Sequence, residues 1–282
     1  MKKLFTFFAA AALTAAFALT FSACGDSYDA DHTITVGASP EPHAQILFSV
    51  EDELKEQGYK LVVKQFDDYI LPNTALEEGE LDANYFQHTP YLNTFNADYN
   101  THLVGVKKIH YEPFGVYGKN VTKESFASEK TGRTILLPND GSNLTRALFV
   151  LRDEGYIELA EGATAENNLT VLDVVNANGN TLKPVLAETV AAQLAESANG
   201  TIAVINGNYA LLAGLSVSKD ALAVESAAGD AAQLYANVVA VKSGNENSEK
   251  IKALIKALTS KTAYDFINEE YSGAVLPVFS VN

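Results

Sequence analysis

A dense run of amides, aromatic rings and one imidazole follows a short apolar stretch. It reads Asp82-Ala83-Asn84-Tyr85-Phe86-Gln87-His88-Thr89-Pro90-Tyr91. Open α/β sheets bind ligands in the crevice beyond the carboxyl ends of their strands, so these side chains stand where a ligand would lie. His88 and Tyr91 are three residues apart and would share one face of the following helix. The run predicts one wall of a binding cleft.

A second candidate group follows the turn Pro138-Asn139-Asp140-Gly141. Asn143 and Arg146 are three residues apart at the start of an expected helix, whose free N–H groups and positive dipole end favour an anion. The planar guanidinium fits a carboxylate in two-point fashion. Pairing of Arg146 with Asp140 or Glu154 is the alternative interpretation.

Three further residues complete the set. Tyr69 could join Phe86 and Tyr91 as an aromatic wall, although each could be an ordinary core or surface aromatic. Asn206 and Asn237 could hold a ligand, or could cap a helix and satisfy an edge strand. Together these residues predict an amino-acid pocket, with a carboxylate clamp, amide acceptors for an ammonium group and aromatic walls for an apolar side chain.

Other chemistries find little support in the sequence. None of the histidines lies in a spacing typical of zinc sites, and there is no Gly-x-Ser-x-Gly elbow or phosphate-binding glycine loop. The adjacent acidic pairs at 67–68 and 77–78 are expected to point apart. We therefore predict a protein that is not an enzyme and holds no metal and no cofactor. The histidines are His32, His43, His88, His102 and His110.

The elements that must position these residues alternate between strands and helices, which predicts an α/β fold of mostly parallel sheets flanked by helices. Expected strands cover 34–36, 60–66, 82–86, 103–109, 116–118, 134–137, 201–205 and 235–241. Expected helices cover 43–54, 88–99, 144–151, 206–214, 248–258 and 262–271. We predict two lobes, 33–111 plus 237–282 and 112–236, with the ligand cleft between them.

The N-terminus has the plan of a secretory signal. Lys2 and Lys3 precede an apolar or small stretch, Leu4 to Phe21, and then Ser22-Ala23-Cys24. Such a plan predicts a signal peptide over 1–23 and a polar tether over 24–32. A retained anchor helix is the alternative, since the stretch has about the length of a membrane span. The single cysteine cannot form an internal disulfide, and we predict that Cys24 carries a lipid.

The balance of charge narrows the range of partners. The chain has 20 basic and 35 acidic side chains, so removing Lys2 and Lys3 changes the formal charge from −15 to 18 − 35 = −17. That sign repels nucleic acid and anionic lipid headgroups. We expect no nucleic-acid partner, and contact with the membrane only through the lipid anchor.

Several segments resemble the methionine-binding lipoproteins of the NlpA/MetQ family. The most specific is Asp82-Ala83-Asn84-Tyr85-Phe86-Gln87-His88-Thr89-Pro90-Tyr91-Leu92, and the ending Phe21-Ser22-Ala23-Cys24 resembles the lipobox of bacterial lipoproteins. The others lie at 36–44, 66–76, 137–148, 172–175, 203–210 and 235–241. The resemblance implies a two-lobed binding protein of the periplasmic type, lipid-anchored on the extracytoplasmic face. It also implies a monomer that passes L-methionine to an ABC permease with a separate ATPase.

The resemblance also implies roles for single residues. Arg146 would take the ligand carboxylate with Asn143 nearby, and Asn206 and Asn237 would hold the amino-acid backbone. Tyr69, Phe86, His88 and Tyr91 would surround the thioether. The resemblance weakens over 176–200, so another small amino acid, D-methionine or a short methionine peptide is the alternative ligand. A surface adhesion role, with transport secondary, is the alternative function.

Overall fold

The computed structural model describes residues 29–226 and 231–281. The predicted signal peptide and Cys24 lie outside the described residues. Within the tether predicted for 24–32, residues Ala30–His32 form an exposed 3-10 turn capped by Asp29. Among the helices of the described part, none combines the length and apolarity that a membrane crossing requires.

Thirteen strands occur within the described residues. They are β1 (Thr33–Ala38), β2 (Lys60–Gln65), β3 (Ala83–His88), β4 (Leu103–Tyr111), β5 (Gly115–Gly118), β6 (Thr134–Pro138), β7 (Glu158–Leu159), β8 (Val174–Asn176), β9 (Thr181–Val185), β10 (Ile202–Ile205), β11 (Ala223–Val224), β12 (Asn237–Lys242) and β13 (Leu276–Pro277).

Eleven α-helices of the same part of the chain cover the sheets. They are α1 (Gln45–Ser49), α2 (Glu51–Glu56), α3 (Leu71–Glu77), α4 (Thr89–Tyr99), α5 (Lys123–Ser128), α6 (Gly141–Asp153), α7 (Val190–Glu196), α8 (Gly207–Leu212), α9 (Ala231–Leu234), α10 (Glu249–Leu258) and α11 (Lys261–Tyr271). A π-helical segment, Pro40–Ala44, leads into α1.

The strands form two principal sheets, each the centre of one lobe. Lobe 1 contains a six-stranded sheet in the order β13-β4-β12-β3-β1-β2, and lobe 2 a five-stranded sheet in the order β11-β5-β10-β6-β9. The chain leaves lobe 1 after β4 and returns to it with β12, which lies between β3 and β4. The two-lobed α/β architecture expected from the sequence is confirmed by this topology and by the solved structures described below.

Both sheets are mixed, which differs from the mostly parallel sheets expected from β-α-β alternation. β1 pairs in parallel with β2 and β3, whereas β12 runs antiparallel to β3 and β4. In lobe 2, β6 pairs in parallel with β9 and β10, but β5 is antiparallel to β10. The antiparallel strands are β5, which follows the crossing into lobe 2, and β12, which returns to lobe 1. Local hydrophobic periodicity does not reveal the direction in which a strand pairs.

The helix expected over 43–54 is interrupted. Val50 has φ −111° and ψ 11°, which separates α1 from α2. The apolar positions that predicted one helix, including Leu47, Val50 and Leu54, are nevertheless all fully buried in the core of lobe 1. The spacing of apolar residues therefore predicted the buried face correctly, but it did not predict the interruption of the helix at Val50.

The segment over 176–200 completes the lobe 2 sheet. β9 forms its edge beside β6, and α7 packs against it through Val190 and Leu194. The core of lobe 2 lies on both faces of this sheet, and the core of lobe 1 lies between its sheet and the helices α1, α10 and α11.

Candidate ligand-binding site between the lobes

A narrow cavity lies between the lobes, at the carboxyl end of β3. All eight residues predicted from the sequence contribute to its lining. The lining consists of Tyr69, Phe86, Gln87, His88, Tyr91, Glu112, Phe114, Asn143, Arg146, Asn206, Gly207, Asn208 and Asn237.

Short structural elements bring these side chains together. Phe86 and His88 end β3, every residue of which is buried, and Tyr91 lies in the first turn of α4. From lobe 2, the first turns of α6 present Asn143 and Arg146. Lobe 1 therefore supplies most of the aromatic wall and lobe 2 supplies the cation.

Arg146 is buried and its guanidinium is largely engaged within the protein. Nε donates to both carboxylate oxygens of Glu225, at 2.9 and 3.0 Å, and Nη2 donates to Glu225 and to the backbone carbonyl of Glu112 at 2.6 Å. Nη1 makes no hydrogen bond to any described residue. The two-point carboxylate clamp expected from the sequence is therefore already occupied by Glu225, and the alternative pairing with Asp140 or Glu154 was wrong.

The Arg146–Glu225 pair is stabilised by its surroundings. Burial alone would lower the pKa of Arg146, but the charge and hydrogen bonds of Glu225, together with Tyr111 and Tyr235, outweigh burial and raise it. Burial alone would likewise raise the pKa of the Glu225 carboxyl, but the charge of Arg146 and the hydrogen bonds from Arg146, Tyr111 and Phe114 together outweigh burial, and the pKa falls below its usual value. The guanidinium also lies 3.9 Å from the ring centroid of Phe114 and 4.5 Å from that of Tyr235.

His88 is a neutral imidazole with both ring nitrogens engaged. Its Nδ1 accepts a hydrogen bond from the Tyr91 backbone N–H at 3.2 Å, so Nε2 carries the proton and donates to Asn143 Oδ1 at 3.1 Å. Burial, with a further contribution from the positive charge of Arg146, lowers the pKa of His88 to about 4. The Nε2 hydrogen bond joins the two lobes.

Asn143 serves as a spacer between His88 and Asp140. Its Nδ2 donates to both carboxylate oxygens of Asp140, at 2.9 and 3.1 Å, while Oδ1 accepts from His88. Asp140 also caps the first turn of α6 through the Asn143 backbone N–H. One amide hydrogen of Asn143 is thus shared between the two carboxylate oxygens of Asp140, and its amide oxygen is committed to His88.

Asn206 and Asn237 differ in the state of their amide oxygens. Oδ1 of Asn206 is buried and has no hydrogen-bond partner among the described residues. Oδ1 of Asn237 accepts from His43 Nε2 at 3.0 Å. An unpaired buried acceptor is costly, at about 1–3 kcal/mol, so Asn206 Oδ1 marks a position where a donor is missing.

The aromatic wall is a contiguous cluster. The ring centroid of Tyr69 lies 5.7 Å from that of Phe86 and 5.5 Å from that of Tyr91. Tyr69 donates its hydroxyl to Asn208 Oδ1 at 2.6 Å, and Tyr91 donates its hydroxyl to the Tyr69 backbone carbonyl at 3.0 Å. These bonds turn the phenolic oxygens away from solvent and leave ring surface to face an apolar group.

A buried group missed by the sequence analysis lies behind the cavity. His43, His110 and Glu112 bring three possible metal-ligand atoms within 4.8 Å of one another. His110 Nε2 donates to Glu112 Oε1 at 2.7 Å, and Tyr85 donates its hydroxyl to His110 Nδ1. The Nε2 atoms of both histidines donate within the protein, to Glu112 from His110 and to Asn237 from His43, whereas His43 Nδ1 has no partner among the described residues. The cluster fits a hydrogen-bond network that fixes Glu112 at the cavity wall.

The comparisons with known proteins fit this geometry. A model of the NlpA lipoprotein family matches residues 34–279, nearly the whole described chain. The chain belongs to the NlpA lipoprotein family. This confirms the family resemblance inferred from the sequence segments.

Relatives of this NlpA-family chain include a named lipoprotein and proteins of known structure. The methionine-binding lipoprotein MetQ of Bacillus subtilis strain 168 is 41% identical over 99% of each chain. A putative lipoprotein from Ruminococcus gnavus is 47% identical, with a TM-score of 0.81 over 87% of this chain and 99% of its own. A nutrient binding protein from Burkholderia cenocepacia, solved bound to methionine, is 34% identical, with a TM-score of 0.79 over 87% and 100%. The Bacillus subtilis and Burkholderia cenocepacia proteins are named as binding proteins, which confirms the expectation that the chain is not an enzyme.

Several lining residues of this NlpA-family chain had no sequence signal strong enough to single them out. Glu112 follows β4 at the crossing between lobes, and Gly207 lies against it. A Cβ at Gly207 would stand 2.6 Å from Glu112 Oε2, so only glycine permits this approach. Gln87 bonds Asn73, which in turn bonds Asn84, in a buried amide network.

Proposed function

We propose that the mature protein closes its two lobes around free L-methionine and delivers it to an ABC permease driven by a separate ATPase. No bond is made or broken. A ligand that contacts both lobes favours the closed arrangement by its differential affinity for that state.

The observation that carries the proposal is a buried acceptor without a donor that faces the same cavity as a guanidinium. Asn206 Oδ1 has no hydrogen-bond partner among the described residues. Arg146 lines the same cavity and bonds described residues through Nε and Nη2, which leaves Nη1 to face an acceptor on a ligand. An α-amino acid is a zwitterion whose ammonium group donates and whose carboxylate accepts. It would satisfy both atoms at once, and the buried Glu112 carboxylate would add a negative charge beside the ammonium group.

The wall chemistry supports an apolar, sulfur-containing side chain. Tyr69, Phe86 and Tyr91 present ring surface, and His88 is neutral. A thioether gains about 0.3–1.5 kcal/mol against an aromatic ring. In this proposal these four residues surround the thioether, and Asn143 holds His88 in place through its amide oxygen. D-methionine, a short methionine peptide and another small amino acid remain the alternative ligands.

The cellular setting is proposed from the N-terminus and the family. Acylated Cys24 would tether the mature chain, as a monomer, to the extracytoplasmic face of the membrane. A tethered receptor stays within reach of its permease, and the acidic surface limits other contact with anionic headgroups. The relatives' names as lipoproteins support this arrangement.

Native mass spectrometry of the purified protein, followed by calorimetry with a ligand panel, tests the proposal. The expected result is a retained mass equal to one methionine and tightest binding of L-methionine among L-methionine, D-methionine, L-norleucine and a methionine dipeptide. Failure of every panel member to bind the unfolded and refolded protein would overturn it. Methionine uptake into liposomes that contain the cognate permease and ATPase tests delivery.

A further inference from the structure

Four consecutive residues of lobe 2, Asn206 to Tyr209, connect the cavity to the far lobe. Asn206 faces the cavity and Gly207 lies against Glu112. Asn208, which also lines the cavity, and Tyr209, which does not, contact a lobe 1 loop that precedes α3. The same short segment thus contacts the proposed ligand on one side and the opposite lobe on the other.

Two hydrogen bonds close this contact. Tyr69 donates its hydroxyl to Asn208 Oδ1 at 2.6 Å, and Tyr209 donates its hydroxyl to the Asp67 backbone carbonyl at 3.0 Å. The rings of Tyr69 and Tyr209 lie 4.9 Å apart between centroids, with an interplanar angle of 32°. Asn208 and Tyr209 are each 5% exposed, so the bonds are shielded from water.

Hydrophobic packing continues the contact beyond these bonds. The side chain of Leu211, on α8, packs against the core of lobe 1, and Tyr69 packs against a core cluster of lobe 2. Lobe 2 thus contributes Leu211 to the apolar surface of lobe 1, and lobe 1 contributes Tyr69 to that of lobe 2. In this structure the two lobes are therefore joined by hydrogen bonds and by apolar contacts at the same place.

We infer that Asp67, Tyr69, Asn208 and Tyr209 form an interlobe clasp that sets ligand affinity through closure, and that Tyr209 is a positioning residue outside the ligand contact. The inference rests on the proposed function. Apparent affinity falls in proportion to the fraction of molecules in the binding-competent state. A contact that stabilises the closed state raises affinity for every ligand by one common factor.

Tyr209 isolates this effect better than the other clasp residues. Tyr69 and Asn208 line the cavity, so their substitution would change ligand contacts together with closure. The same holds for His88 and Asn143, which also join the lobes. Tyr209 lies outside the cavity lining, and Tyr209→Phe removes only the hydroxyl that reaches Asp67.

A matched control is available within lobe 2. Tyr156 is fully buried and donates its hydroxyl to the Phe126 backbone carbonyl at 2.8 Å, a bond of the same kind that does not cross between lobes. Both Tyr209→Phe and Tyr156→Phe remove a tyrosine-to-carbonyl hydrogen bond, so both should lower stability. Only Tyr209→Phe should lower affinity.

The experiment measures dissociation constants and dissociation rates for L-methionine and L-norleucine, and small-angle scattering of the ligand-free proteins. We expect Tyr209→Phe to weaken both ligands by the same factor, about fivefold, mainly through faster dissociation. Its ligand-free radius of gyration should exceed that of wild type and of Tyr156→Phe, and saturating L-methionine should remove the difference.

Three outcomes would overturn the clasp: unchanged affinity in Tyr209→Phe, an equal loss in Tyr156→Phe, or different factors for the two ligands. The last would place Tyr209 in contact with the ligand. If wild-type protein bound neither ligand, the proposed function would fail instead. The scattering comparison would then decide the clasp alone, and equal radii of gyration would overturn it.

Discussion

Arg146 and Glu225, 79 residues apart in the chain, form a buried ion pair at the wall of the cavity. The Glu225 side chain is 11% exposed and also accepts hydrogen bonds from the Tyr111 hydroxyl at 2.7 Å and the Phe114 backbone N–H at 3.1 Å. Both of these donors belong to the crossing between lobes. Glu225 therefore holds the guanidinium against the crossing between the lobes. This leaves Nη1 as the donor available to a ligand.

Glu225→Gln should destabilise the protein because it leaves the Arg146 charge buried without its counter-charge. Breaking a buried pair in this way costs about 3 kcal/mol of unfolding free energy, measured by urea denaturation. Glu129→Gln is the matched control, since Glu129 pairs with Arg133 but is 67% exposed, and its loss should cost less than about 1 kcal/mol. Saturating L-methionine should stabilise Glu225→Gln more than wild type, because the ligand carboxylate supplies the missing charge. Equal costs in the two variants would contradict this account.

Arg146→Ala should lower L-methionine affinity at least tenfold, since a hydrogen bond to a charged donor contributes about 1.5–3 kcal/mol. It should also lower stability, because Glu225 is then buried without a partner. Arg152→Ala controls for loss of an arginine from α6, as Arg152 is 44% exposed and pairs with Asp153. Calorimetry that finds wild-type affinity in Arg146→Ala would remove Arg146 from the binding role.

Local pattern was sufficient to place most strands. The strands expected at 34–36 and 103–109 lie within β1 and β4, where apolar residues that predicted them, such as Ile34, Val36 and Ile109, are buried. The antiparallel insertion of β12 between β3 and β4 could not be predicted, since strand pairing depends on contacts about 130–150 residues apart. Nor does any residue signal the break at Val50.

The candidate site likewise contains residues that the sequence could group and residues that it could not. His88 and Tyr91, or Asn143 and Arg146, are neighbours by helix spacing, so the sequence alone groups them. The partner of Arg146 is Glu225, which no spacing rule connects to α6. Glu112 was missed for a related reason: it becomes a cavity residue only because β4 ends where the two lobes meet. The ligand roles of all these residues stay predictions.

Sulfur recognition should be modest and should depend on the aromatic wall. We expect L-methionine to bind about two- to tenfold more tightly than L-norleucine, because the sulfur–ring contact is the main difference between them. Phe86→Leu should bring that ratio towards one while weakening both ligands, as Phe86 is 3% exposed and lines the cavity. Competition calorimetry measures the ratio, and a ratio unchanged by Phe86→Leu would show that another group reads the sulfur.

Cys24→Ser should release the protein from the membrane without altering ligand binding. The residue lies outside the described part of the chain and far in sequence from the cavity lining, so the substitution tests localisation alone. Metabolic labelling with a fatty-acid analogue should mark wild type but not the variant, and fractionation should find the variant in the soluble fraction. A labelled or membrane-bound Cys24→Ser protein would favour a retained anchor helix.

The neutral His88 ring predicts a pH dependence of stability. Its pKa is about 4 in the folded protein, against 6.5 for an unperturbed histidine, so the unfolded chain takes up the proton first as pH falls. Stability is therefore lost between about pH 6.5 and pH 4. His43 and His110, with pKa values lowered by burial to about 4 and about 3, act in the same direction. The raised pKa values of Glu112 and Asp140 act in the opposite direction.

His88→Gln isolates one of these contributions, because glutamine retains hydrogen-bonding capacity without titrating. Near pH 5.5 the unfolded chain should bind about one proton more at His88 than the folded protein does. The slope of unfolding free energy against pH should then fall by about 1.4 kcal/mol per pH unit in the variant. Urea titrations at pH 5, 5.5 and 6 measure the slope. A variant slope equal to that of wild type would mean that His88 is already protonated in the folded state, and its hydrogen bond from the Tyr91 N–H would have to be reassigned.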